Sequence, residues 1–290
     1  METMGHIPCH APDKIKLLVE KIDQLPTLPG ILGNVLTVTD DPDATARDLE
    51  MAIIHDPPIS AKVVAFANSP YYGFQRHVVD LGSAISLIGF NAVKNITIGL
   101  SVFSCFHDPY SPLSTRVNAI YLHSFAVGFA ADRFAQISHR CDRGPAFLGG
   151  LLHDIGKMVL IKLLDLNYNN ILEIARDKQT EIRQIEREVL GLDHADAGAW
   201  LVETWGLPDI FVRAIQDHHF PGDTTDPLAK LLTLADLTIR RMGIGNGGNP
   251  CEPVIEDDLL GDLDLTEEHL AYTIRMVEES KATIVEMSHP

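Results

Sequence analysis

The chain has 290 residues, enough for one large domain or two ordinary ones, and 46% of them are apolar, enough for a substantial buried core. A net charge of -17 argues against nucleic acid and against an anionic membrane surface, since both require a basic face. Cys9, Cys105, Cys141 and Cys251 show no CxxC spacing and read as free thiols of a reducing cytoplasm. Met1 to His10 lacks an export signal's basic start and apolar core, and the longest apolar region, Ala84 to Phe106, is interrupted by Asn91, Lys94 and Asn95.

Taken in order, residues 1–14 form a tail, and a helical pattern from Asp13 carries Ile15, Leu18, Val19 and Ile22. After Leu25-Pro26-Thr27-Leu28-Pro29, a second helix places Ile31, Leu32, Val35, Leu36 and Val38 on one side. Thr45 is set to cap Ala46–Ile54, with Asp48 in the first turn. His55-Asp56-Pro57-Pro58 breaks that helix; its prolines and lack of histidine company mark it as a loop, not a metal site. Amphipathic Asp80–Ile88 leads through Gly89-Phe90 into a helix over Asn91–Phe106 that is apolar on most sides and therefore central. No segment alternates with a strand-like period, so the chain is expected to be all-α, an N-terminal helical bundle packed on a C-terminal helical domain.

Past the break at Pro109 to Pro112, helices are expected over Val117–Phe134, Ala146–Leu164, Tyr168–Lys178, Glu181–Leu190, Ala195–Thr204, Ile210–Gln216 and Leu228–Met242. Gly243–Pro250 reads as a flexible linker and Cys251–Leu265 as an acidic loop, before a last helix capped by Thr266 and reaching about Met287. The expected division is 15–110 for the bundle, 111–243 for the metal-binding part, 244–265 for the linker and 266–290 for the C-terminal helix.

The chemistry concentrates in that second half. His153 and Asp154 sit side by side in Gly-Leu-Leu-His-Asp-Ile-Gly-Lys, with His123 before them and His194, His218, His219 and Asp236 after. Five imidazoles and two carboxylates suffice for two adjacent metal positions, and a set without thiolate suits iron, manganese, zinc or nickel. Lys157, three residues after Asp154, reaches the same helical face, where its ammonium can meet a phosphate oxygen or simply solvate the surface.

The ordered motifs Leu-Pro-Thr-Leu-Pro, His-Asp-Pro-Pro-Ile-Ser, Asn-Ser-Pro-Tyr-Tyr-Gly, Ala-Ile-Ser-Leu-Ile-Gly, Gly-Leu-Leu-His-Asp-Ile-Gly-Lys, His-Ala-Asp-Ala-Gly-Ala-Trp-Leu and Trp-Gly-Leu-Pro with His-His resemble the bacterial HDOD domain. The resemblance implies an all-α fold whose second part is similar to the HD phosphohydrolases, among them the HD-GYP cyclic-di-GMP phosphodiesterases. Many HDOD proteins are signalling modules that have lost the ligands. Here His123, His153, Asp154, His194, His218, His219 and Asp236 occupy the places that the resemblance assigns to two metals, and Lys157 that of a phosphate-contacting lysine. The Gly-Tyr-Pro loop is replaced by Phe-Pro-Gly-Asp-Thr-Thr-Asp, and Ala119 offers no carboxylate for a third metal, which argues against cyclic-di-GMP hydrolysis.

Three readings follow. The first is a cytoplasmic signalling protein holding two metals, iron first, and acting through a protein partner. The second is an active phosphohydrolase using Asp154 and Lys157 on a nucleotide or other phosphate-containing ligand. The third is a metal-free adaptor.

Overall fold

The computed structural model describes residues 29–288, save for residues 75, 109, 166, 223 and 246. The helix expected from Asp13 lies outside the described residues. Among those described there is no strand, and the all-α expectation holds.

Helices α1 (Gly30–Asp40), α2 (Ala46–Ile53), α3 (Pro57–Ala67), α4 (Leu81–Ile88) and α5 (Phe90–Ser104) build the first part. The sequence marks the start of α2, but the stretch His55-Asp56-Pro57-Pro58 that it reads as a loop is instead the start of α3. Thr45 and Asp48 form a reciprocal capping box on α2, and Asp56 caps α3 by accepting from Ile59 N at 3.0 Å. Asp56 of the first His-Asp pair is thus committed to a helix end. α5 is buried along most of its length and packs on α1, α2, α3 and α4 and on α7 of the second part.

The second part is organised around α6 (Ser114–Ser138), which contacts α7 (Arg143–Leu152), α8 (Ile155–Leu164) and α13 (Pro227–Arg241). α6 and α7 meet closely through glycine: a Cβ on Gly150 would stand 2.7 Å from Gly128 Cα. Only hydrogen at both positions permits this crossing, and it brings the end of α7 beside His123. α9 (Asn167–Lys178) and α10 (Ile182–Leu190) pair with each other, and α11 (His194–Thr204) and α12 (Asp209–Asp217) form a second pair against α8 and α13.

In the second half of the chain the structure differs from expectation. The helix expected over Ala146–Leu164 is two helices, broken at His153 and Asp154, where the His153 ring turns back onto Gly150 O. The stretch expected as a linker packs on the protein: Ile244 and Asn249 are buried, because the carbonyl of Ile244 meets His123 and the Asn249 amide meets Glu181. The following acidic stretch contains α14 (Asp257–Asp262), anchored by buried Leu259 and Leu260. Finally, Thr266 caps α15 (Glu267–Glu279) as expected, but buried Ser280 interrupts the run before α16 (Lys281–Met287), letting both helices lie against α6.

No single helix among the described residues is long and apolar enough to cross a membrane. Only α4 and α5 together reach that length and composition, and they are bent by 119°.

Candidate metal centre

Three different junctions and two helix interiors deliver the seven expected ligands. His123 projects from α6 and Asp236 from α13, His153 and Asp154 occupy the α7–α8 break, His194 opens α11, and His218 and His219 end α12. All seven come together. Three groups, each with one donor atom per residue within 4.8 Å of the others, are His123–His153–Asp236, His153–Asp154–His218 and His194–His218–His219. His55, His77, His107, His139 and His269 join none of them among the described residues.

The hydrogen bonds determine which ring nitrogen faces inward. His153 Nδ1 is 2.7 Å from Gly150 O and His218 Nδ1 is 2.6 Å from Ile215 O, so each ring donates its Nδ1 proton to a carbonyl of its own last turn. His123 Nδ1 is 3.3 Å from Ile244 O, and His194 Nδ1 is 2.6 Å from the Glu186 carboxylate. With these protons placed outward, four Nε2 lone pairs point to one interior. His153 Nε2, His218 Nε2 and Asp154 Oδ1 are buried there without a hydrogen-bond partner. Three orphaned acceptors at one point are costly unless a cation or donor meets them.

The spacing divides the cluster into two poles. His123 Nε2 lies 2.9 Å from Asp236 Oδ1, and His153 Nε2 lies 3.4 Å from Asp154 Oδ2. On the other side His194 Nε2 lies 2.7 Å from His219 Nε2 and 3.4 Å from Asp154 Oδ1. Asp154 therefore offers one oxygen to each pole. Lys157 joins the centre too, its Nζ 2.7 Å from Asp154 Oδ2.

With protein groups alone, burial opposes the charge on Asp154, but the Lys157 ammonium, then His153 and His194, hold its carboxyl well below the ordinary range. Burial likewise opposes ionisation of Asp236, and its hydrogen bond to His123 with the charges of His123, His153 and Arg240 brings it below that range. Burial, reinforced by His153 and His194, pushes His218 down to about 3. His219 is lowered for the same first reason, with His218 and His194 adding. Burial also works to lower His153, yet Asp154, Asp236 and Gly150 O together outweigh it and raise its value. Ionised carboxylates beside neutral His218 and His219 are the protonation states a metal requires, and a cation at the centre would compete with the proton that Asp154 and Asp236 favour on His153.

Several supporting residues were not foreseen. Glu186, fully buried on α10, holds His194; Arg240 sits 3.5 Å from Asp236 Oδ2; Gly247 lies so close to the centre that a Cβ there would stand 2.6 Å from Lys157 Nζ and 2.8 Å from Asp154 Oδ2. A signal for Glu186 existed: it shares the buried face of α10 with Ile182, Ile185 and Leu190, and a carboxylate on an apolar face needs partners.

An all-α chain with a buried histidine–aspartate centre between helix ends is a defined class of protein. The chain belongs to the HDOD family, matching the HDOD domain over residues 25–221. It is similar, at 20% identity and TM-score 0.80, to the crystal structure of an HDOD domain protein of unknown function from Geobacter sulfurreducens, over 96% of this chain and 99% of that one. A Shewanella amazonensis SB2B protein provisionally named a phosphohydrolase matches at 22% identity and TM-score 0.73, over 93% and 97% of the two chains. A Marinobacter aquaeolei VT8 protein provisionally named a signal transduction protein matches at 24% and 0.74, over 96% and 65%. At these identities the likeness establishes the fold. An uncharacterized protein of Treponema pallidum (strain Nichols) is 22% identical over 267 residues, and the chain spans about half of its length (51%).

Proposed function

We propose that this is a bacterial signal-transduction protein of the HDOD family whose second half holds two divalent transition-metal ions, iron first and manganese, nickel or zinc as alternatives. His123, His153 and Asp236 would hold one ion, His194, His218 and His219 the other, and Asp154 would bridge them. The observation that carries this reading is the convergence of partnerless His153 Nε2, His218 Nε2 and Asp154 Oδ1 on one buried point. Neutral imidazoles with ionised carboxylates fit such ions in donor type and in charge.

Enclosure favours a sensing or structural centre. His123, His153 and His194 are 0% exposed, and Gly247 closes on Lys157 and Asp154. Output would then pass to a protein partner in the cytoplasm. The second reading, a metal-dependent phosphohydrolase acting on a nucleotide or other phosphate ester, is favoured by Lys157, which would place a cation beside a phosphoryl oxygen. Two ions, when bound, would supply an activated water and neutralise the phosphoryl oxygens. The protein's part would be to orient the ester through Lys157 and to keep Asp154 ionised. Two structural relatives carry names corresponding to these two readings.

The test is metal content by mass spectrometry on full-length protein purified without a histidine tag. About two equivalents are expected in the wild type, as a two-metal ligand set requires, with loss in His153→Ala and His218→Ala. No uptake after incubation with iron or manganese would refute the metal reading and leave a metal-free adaptor. Hydrolysis of a nucleotide panel that disappears in His153→Ala would decide for the phosphohydrolase.

A further inference from the structure

Resting on the two-metal reading, we infer that Glu186, held in place by Tyr168, is a positioning residue that supplies the missing negative charge to the all-histidine pole and so tunes one metal position independently of the other. The two poles are unequal in charge. His123 and His153 share theirs with the Asp236 carboxylate, whereas His194, His218 and His219 have no carboxylate of their own beyond the shared Asp154. Three neutral imidazoles and half a carboxylate bind a dication less firmly than a set with its own anion.

Glu186 stands directly behind that pole. Its Oε2 accepts from His194 twice, from the backbone N–H at 2.9 Å and from Nδ1 at 2.6 Å, so ring and backbone are fixed by one oxygen. Its Oε1 accepts from the Tyr168 hydroxyl at 2.5 Å. The glutamate is fully buried and Tyr168 is 1% exposed, so water does not screen the pair. His123, His153 and His218 pass their Nδ1 protons to backbone carbonyls, and His194 alone of these four passes its proton to a charged group. A carboxylate at Nδ1–H makes Nε2 the stronger donor, and the Nε2 of His194 faces His219 and Asp154 Oδ1.

The local fold explains how the pair is delivered. α10 ends at Gly191, whose φ of 83° turns the chain back, and Asp193 and Asp196 then start α11 with a reciprocal capping box. That reversal brings His194 beneath Glu186, eight positions earlier, while the α9–α10 pairing brings Tyr168 to its other oxygen.

Cobalt(II) titration of metal-stripped full-length protein against a competing chelator tests this. Glu186→Gln preserves the shape and an acceptor for His194 while removing the charge. One cobalt equivalent is expected to bind 10- to 100-fold more weakly, with an altered visible absorption band, while the other is unchanged. Tyr168→Phe keeps the charge and should weaken the same equivalent by a smaller factor; should Glu186→Gln fail to fold, this variant decides. A merely structural role predicts that both equivalents keep their wild-type affinities in Glu186→Gln, or weaken together, and either result overturns the inference while leaving the two-metal reading standing. A wild type that takes fewer than two equivalents overturns both.

Discussion

Gly156 lies between Asp154 and Lys157 in the chain, and its replacement by alanine is the sharpest probe of how the fold assembles the centre. A Cβ on Gly156 would stand 2.6 Å from the backbone nitrogen of Gly198 and closer still to the carbonyl oxygen of His194, both on α11. Ordinary contact begins at 3.4 Å, so α8 and α11 must part by about 0.8 Å to clear Gly198 N and by more to clear the His194 carbonyl, and both colliding atoms are backbone. Overpacking of this kind costs about 1–3 kcal/mol, and the upper end applies where no side chain can rotate away. A loss of about 3 kcal/mol lowers Tm by about 6–12 °C at the 2–4 °C per kcal/mol typical of 150–250-residue domains. The displacement also carries His194 away from Asp154 Oδ1, now 3.4 Å distant, and so should weaken metal at the histidine pole. Thermal denaturation of the metal-free protein and cobalt titration of Gly156→Ala read the two effects separately. Gly198→Ala, whose added carbon would meet Gly156 N and an Ile215 methyl at 3.1 Å, should be milder. A Gly156→Ala protein melting within about 2 °C of wild type and binding metal normally would refute the claim that this crossing sets the site.

Two further perturbations bear on charge. Lys157→Met removes the partner of buried Asp154 and should destabilise the metal-free protein by about 3–5 kcal/mol, but the metal-loaded protein far less, because bound cations replace the ammonium; equal losses in paired urea titrations would count against metal at Asp154. Acidification should also destabilise the metal-free protein. His218 is pushed down to about 3 from an ordinary 6.5, so across that window the unfolded chain takes up a proton that the folded ring refuses, and stability falls with pH. His219, also lowered, acts in the same sense. His153 is raised, so its contribution is full below 6.5 and lost as pH rises through its folded value, offsetting part of the change. Asp154 and Asp236, both lowered, contribute above 3.8 and lose that contribution only at still lower pH. With two lowered rings against one raised, the urea midpoint should drop between about pH 7 and pH 4. A midpoint that stays level or rises would contradict neutral His218 and His219 in the folded centre.

The sequence by itself determined the all-α class, the helix starts marked by Thr45 and Thr266, and the seven residues that meet at the centre. Each of these is a local matter: a period of three and four, a side chain that caps the backbone a few residues on, or a histidine and an aspartate adjacent in the chain. Tertiary structure decided the rest. That the Ala146–Leu164 run breaks at His153 and Asp154, that Glu186 stands behind His194, and that Ile244 and Gly247 close over the centre all depend on contacts between distant segments. Periodicity reports that a residue faces inward and cannot report what it meets there. The buried partner of an imidazole is chosen by how two helices cross, and here those crossings are set by glycines at 128, 150, 156 and 198, where the absence of a side chain lets one backbone touch another.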